Sequence, residues 1–138
     1  MDDSDSFNPQ REQEQELLVL QSIFMEEFTE KPAAKGRGRL IELRLLPFPS
    51  EGSAENHSEV LLTAVLHPTY PIVPPKISLK AVRGITDADL QQLHEEVKQR
   101  ISELLGHVQL MELAELCRDF LRARNAPPDL ASLHEQMD

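Results

Sequence analysis

Four prolines fall between residues 68 and 75, in the run His67-Pro68-Thr69-Tyr70-Pro71-Ile72-Val73-Pro74-Pro75-Lys76. Each proline fixes its own φ, biases the preceding residue away from the helical region and has no N–H to donate to a helix or a ladder. The run is therefore neither a helix nor a central strand. Its backbone must proceed as linked turns or extended polyproline, supported by side chains and water, and it forms a rigid connection between whatever lies on either side. Upstream, Ile41, Leu43 and Leu45 alternate with Glu42 and Arg44, the period of two of a strand with one wet face, until Pro47 and Pro49 end it. Residues 60 to 66, Val-Leu-Leu-Thr-Ala-Val-Leu, are almost continuously apolar and predict a more central strand. The polar segment from 50 to 58 joins these two as a long-loop antiparallel hairpin. Downstream, Ile77-Ser78-Leu79-Lys80 alternates again, and Gly84 closes the sheet region.

Helical patterns flank this sheet. Across residues 11 to 28, Leu17, Leu20, Phe24 and Phe28 recur at the spacing of one helix face, with Leu18 and Ile23 widening the stripe. Residues 31 to 38, Lys-Pro-Ala-Ala-Lys-Gly-Arg-Gly, then predict a loop. Its basic character is read as solvation, because no strand-to-helix context frames it as a phosphate site. Thr86 is a candidate N-cap, with Asp89 three residues on as an imperfect capping box. Leu90, Leu93, Val97, Ile101 and Leu104 make the buried stripe of the helix that follows, and Gly106 ends it. A third helix spans about residues 108 to 124, with Leu110, Leu113, Ala114, Cys117, Phe120 and Leu121 apolar, stopped by Asn125-Ala126-Pro127-Pro128. The order helix, strands, helix, helix predicts an α+β fold: an antiparallel sheet of about four strands with three helices packed on one face. At 138 residues there is room for one core. The expected division is a disordered acidic leader over 1 to 10, a folded domain over 11 to 126, and a linker or tail over 127 to 138.

Charge and spacing exclude several functions. A formal charge of -10 repels polyanions over most of the surface, so neither nucleic acid nor anionic membrane is an expected partner. No apolar run approaches the roughly 20 residues that span a bilayer, and the acidic start Met1-Asp2-Asp3-Ser4-Asp5 is unlike a signal peptide. A lone cysteine fits a reducing compartment, and cytoplasm is the expected location. Histidines at 57, 67, 94, 107 and 134 lack metal-ligand spacing, and no glycine-rich phosphate loop occurs. No metal, cofactor or small-molecule substrate is expected. Cys117 falls in the middle of the apolar arc of the third helix at 100° per residue, so it should point into the core, where a thiol is a small hydrophobe rather than a nucleophile. No catalytic residue is assigned.

Tyr70-Pro71 followed by Pro75 matches the Tyr-Pro-x-x-x-Pro motif of RWD domains, and the same turn resembles that of ubiquitin-conjugating enzymes, whose fold is related. The conjugating enzymes carry a His-Pro-Asn stretch and a catalytic cysteine after the proline turn; here residues 76 to 84 lead straight into a helix with neither. The RWD resemblance extends further. Glu16-Leu17-Leu18-Val19-Leu20-Gln21-Ser22-Ile23-Phe24 looks like that family's opening helix, with its acidic pair at Glu26-Glu27, and the likeness covers about residues 12 to 125. Gly84, then Gly106-His107-Val108, Glu112-Leu113-Ala114 and Phe120-Leu121, are most similar to the RWD domains that open the general-control kinases. Those kinases phosphorylate the alpha subunit of translation initiation factor two in amino-acid starvation, and Met1 suits an opening domain. The sequence departs from the pattern at Val73-Pro74-Pro75 and in the basic loop from Lys35 to Arg39.

The resemblance implies a non-catalytic docking domain that recruits a translation-control kinase to the large ribosome-associated coactivator of the general-control pathway. The alternative is a ubiquitin-pathway adaptor, either a non-catalytic conjugating-enzyme variant or the RWD portion of a RING ligase. On the third helix Glu112, Glu115 and Asp119 lie within about 60° of one another, opposite the buried arc and beside Leu116. Leu116 is read as an exposed apolar anchor and the three carboxylates as little neutralised, and the resemblance implies that the coactivator is bound through acidic residues here, which together make these four residues the expected partner-binding set. A second stripe, with Asp89, Glu95, Glu96 and Glu103, is mixed with Lys98 and Arg100. The resemblance also implies that Glu16 and Tyr70 hydrogen-bond beside Pro71 and Pro75 and fix the first helix against the sheet.

Overall fold

The structure is a computed structural model and describes residues 8–31, 38–49, 52 and 54–125. The first seven residues of the expected leader, most of the basic loop and the expected tail lie outside the described residues.

Four strands form one antiparallel sheet in sequence order: β1 (Phe28–Lys31), β2 (Arg39–Leu45), β3 (Glu59–Leu66) and β4 (Lys76–Arg83). Three helices, α1 (Pro9–Phe24), α2 (Asp87–Glu103) and α3 (Leu110–Ala123), supply the rest of the core. Alternation decides which face is covered. Ile41, Leu43 and Leu45 on β2 and Val60, Leu62, Ala64 and Leu66 on β3 are all buried, and they meet Leu17, Leu20, Phe24, Leu93, Val97, Leu113, Cys117 and Leu121 from the helices. The predicted hairpin is present: Ile41 faces Ala64 and Leu43 faces Leu62 across β2 and β3. With so few aromatics the core is aliphatic, each buried Leu or Val stabilising it by about 1.5–3 kcal/mol relative to exposure.

Several elements differ from the sequence expectation. α1 starts at Pro9, because the Asn8 side chain caps it by accepting from Gln10 N (3.0 Å) and Arg11 N (3.3 Å). Residues 8 to 10 thus belong to the helix and not to a leader. The helix stops at Phe24, where Met25 takes φ 50° and a 3-10 turn Met25–Glu27 redirects the chain. Phe28 is therefore not helical; it opens β1, a four-residue edge strand too short and polar to show a period. Leu18 and Ile23 do not widen the buried stripe, being 66% and 44% exposed. The buried face includes the polar Gln13 and Glu16 instead. β4 runs to Arg83, and Gly84 follows at φ 68°, where a Cβ would collide with the His57 carbonyl oxygen. Thr86 caps α2 by accepting from Asp89 N (3.1 Å), but the Asp89 carboxylate turns to Arg124 (3.3 Å) rather than closing the box.

Candidate docking surface

The proline run is held from outside by α1. Two turns within the run satisfy His67 O and Thr69 O from Tyr70 N (2.8 Å) and Ile72 N (2.9 Å), and the buried Gln13 amide adds donors from outside, to Tyr70 O (2.9 Å), Pro68 O (3.1 Å) and His67 O (3.2 Å). The Gln13 side-chain oxygen accepts in turn from Arg39 Nε (3.1 Å). The Tyr70–Pro71 peptide is cis; Pro71 and Pro75 are buried, while Ile72 and Val73 stand out into solvent.

One helical turn along α1, Glu16 ties this run to α3. The Tyr70 hydroxyl donates to Glu16 Oε1 (2.8 Å) and accepts from Gln109 N (2.8 Å), and Leu110 N donates to Glu16 Oε2 (2.8 Å). Gln109 makes no side-chain cap of its own, so a carboxylate from α1 and a phenol from the proline run satisfy the first amides of α3, where the helix dipole also favours a negative charge. Burial pushes the Glu16 carboxyl above its ordinary value, partly offset by these hydrogen bonds; burial, and then the Glu16 charge, push the Tyr70 phenol well above its own. The pair thus joins α1, the proline run and the start of α3, where the sequence pointed to α1 and the sheet. Sequence reasoning misses both Gln109 and Gln13. Gln13 had a signal, since it sits three residues before Glu16 and four before Leu17.

α3 so anchored turns Cys117 inward: it is fully buried, and burial, with the Glu96 carboxylate adding to it, lifts its thiol to about 12. No thiolate is available there at neutral pH. The opposite side carries Glu112, Glu115 and Asp119, whose side chains are 61%, 42% and 72% exposed. Two expectations need correction. Leu116 is half-buried against the core and not an exposed anchor, because α2 packs beside it. Each carboxylate also carries an arginine: Glu112 with Arg100 (3.5 Å), Glu115 with Arg118 (3.3 Å) and Asp119 with Arg122 (2.7 Å). Arg118 is largely buried over the Phe24 ring, but the more exposed pairs at Glu112 and Asp119 are worth little in stability and are easily exchanged for a partner's cations.

The α3 stripe meets Glu96 of the second stripe in one groove. Gln92, Glu96 and Arg100 of α2 and Glu112, Glu115, Leu116, Asp119, Phe120 and Arg124 line a shallow open groove of about 480 Å³. Leu116 lies in its wall, and four carboxylates face two guanidiniums. Arg124 is occupied, stacked 3.6 Å from the Phe120 ring centroid and bonded to Asp89. The groove thus offers net negative charge with a small apolar patch. Among the described residues no cluster of three or more His, Cys, Asp or Glu could hold a metal, and no helix is long and apolar enough to cross a membrane.

A family model for the RWD domain matches residues 11–121. Among curated proteins the chain is 33% identical over 128 residues to mouse eIF-2-alpha kinase GCN2, covering 91% of this chain and 8% of that protein. It is 30% identical over 112 residues to zebrafish E3 ubiquitin-protein ligase RNF25, covering 81% of this chain and 22% of that one. The chain therefore spans less than a quarter of either. The solution structure of the RWD domain of mouse GCN2 superposes with a TM-score of 0.75 at 29% identity, over 92% of this chain and 95% of that one.

Proposed function

This chain belongs to the RWD family, a non-catalytic interaction fold, and from that premise we propose that it is a docking domain whose partner seats on the α2–α3 groove. The observation carrying this reading is the exposure of Glu112, Glu115 and Asp119 along one side of a helix whose other side is sealed by Cys117 and the leucines. A partner presenting lysine or arginine around an apolar side chain would take over the carboxylates from Arg100 and Arg122 and cover Leu116. Complementary charge would speed encounter and set register, and the apolar contact would slow release.

Similarity to the GCN2 RWD domain supports a more specific form. The domain recruits a translation-control kinase to the large ribosome-associated coactivator of the general-control pathway, in the cytoplasm. Pull-down of that coactivator tests it: Glu112→Lys with Asp119→Lys should abolish capture while the far-ultraviolet dichroism stays unchanged. Undiminished capture by the folded variant would move the site elsewhere. The match to RNF25 favours a second reading, an adaptor in a ubiquitin pathway. Failure to capture the coactivator at all, with capture of ubiquitin-pathway proteins lost in the same double variant, would select it.

A further inference from the structure

The sheet has a second face, which no helix among the described residues covers. Residues alternating with the core positions point to it, and their register arranges them in rows: Lys31, Leu40, Val65 and Lys76 in one, Thr29, Glu42, Thr63 and Ser78 in the next, Arg44, Leu61 and Lys80 in the third. Leu40, Leu61 and Val65 are half-buried and are not among the residues packed against the core. Five cations stand here, Lys31, Arg44, Lys76, Lys80 and Arg83, against Glu42, Glu59 and, beside Arg44, Glu27, in a chain whose formal charge is -10. Glu42 pairs with Lys31 (3.2 Å), and Glu59 with Arg44 (2.9 Å) and Arg83 (3.5 Å). Lys76 and Lys80 are exposed, and no ion pair among the described residues engages either.

The cations frame the apolar residues. Lys76 and Lys80 are about 13 Å apart along β4, and Lys31 and Lys76 are about 14 Å apart across the sheet, from the usual rise and strand spacing. An apolar centre with a charged rim is the anatomy of a protein interface. We infer that the open sheet face is a second docking surface, separate from the α2–α3 groove, and that it takes an acidic amphipathic helix from another protein. Leucine-like side chains of that helix would cover Leu40, Leu61 and Val65, and its flanking carboxylates would meet Lys76 and Lys80. Charge selects this occupant. A short acidic segment can confine its charge to the cationic frame, whereas a nucleic acid or a bilayer extends beyond it and meets the acidic remainder of the surface within about one Debye length. A helix also suits the site better than a strand, since a sheet face has no free backbone groups to extend a ladder.

The probe is a synthetic helix of about 18 residues with leucine along one stripe and glutamate beside it, long enough to cross all four strands. Titrated into the whole chain, it should shift the backbone amides of Leu61, Val65, Ser78 and Lys80 saturably. Lys76→Glu with Lys80→Glu, both at exposed positions, should weaken binding at least tenfold, and a lysine-for-glutamate version of the peptide should not bind here. Shifts confined to other surfaces, or an affinity unchanged in the double variant, would overturn the assignment. Tighter binding of this face to an oligonucleotide or to phosphatidylserine vesicles than to the peptide would overturn the choice of a protein partner.

Discussion

The two ends of α3's chemistry use the same functional group to opposite effect. At its start, the Glu16 carboxylate is buried and takes hydrogen bonds from Tyr70 and Leu110; along its outer side, Glu112, Glu115 and Asp119 stand in solvent, each against an arginine. A buried carboxylate with specific donors holds elements in place and is costly to disturb, because its partners would be left unsatisfied. An exposed one contributes little to stability and remains free to choose a new cation. The residue type carries no information about which role it plays; the neighbours decide.

That contrast can be broken in several ways. The largest effect belongs to Cys117, on the inner side of the same helix. With its thiol lifted from 9.0 to about 12, alkylation by iodoacetamide at pH 8 should be roughly a thousandfold slower in the native protein than in urea, from the thiolate fraction alone. Labelling at comparable rates would mean that the inner side is open. Next comes Tyr70→Ala, which removes a fully buried ring and both hydrogen bonds of its hydroxyl; urea unfolding should register a loss of about 3–5 kcal/mol. Glu16→Ala should cost about 1–3 kcal/mol by orphaning Leu110 N and the Tyr70 hydroxyl, yet leave partner affinity unchanged once the folded fraction is corrected for. A selective loss of affinity there would erase the division between the two sets. Glu112→Gln and Asp119→Gln should each change stability by less than about 0.5 kcal/mol.

A finer test uses pH. Burial keeps the Glu16 proton bound more tightly in the folded state than in the unfolded one, whose value is near 4.5. Such a group favours folding most at low pH, and its contribution falls as pH rises from the unfolded value through the raised one. Glu16→Gln no longer titrates, so its stability relative to wild type should improve across that window. A difference that stays flat with pH would show that Glu16 does not titrate differently on folding.

The sequence made the frame of this molecule readable where periodicity was strong. The β2–β3 hairpin, the cap at Thr86 and the inward placement of Cys117 all follow from local pattern, because period and burial coincide there. β1 escaped notice since Phe28-Thr29-Glu30-Lys31 is short and mostly exposed, and only pairing with β2 makes it a strand. Leu18 looked like core because a helical wheel records spacing but not where the neighbouring elements stop. The same limit applies to the candidate site. The carboxylates of α3 are legible as a stripe, whereas Arg100 reaching Glu112 from twelve residues away, Leu116 half-buried beside α2, and Glu96 of the second stripe meeting the first in one groove depend on how the helices pack.

The most direct test of the account is an amide chemical-shift map of the labelled domain titrated with the purified coactivator. Perturbations should cluster at Glu96, Glu112, Glu115, Leu116 and Asp119, and those of Glu16 and Tyr70 should stay small. Perturbations centred on Ile72 and Val73 at the tip of the proline run, with the α2–α3 groove unmoved, would contradict it.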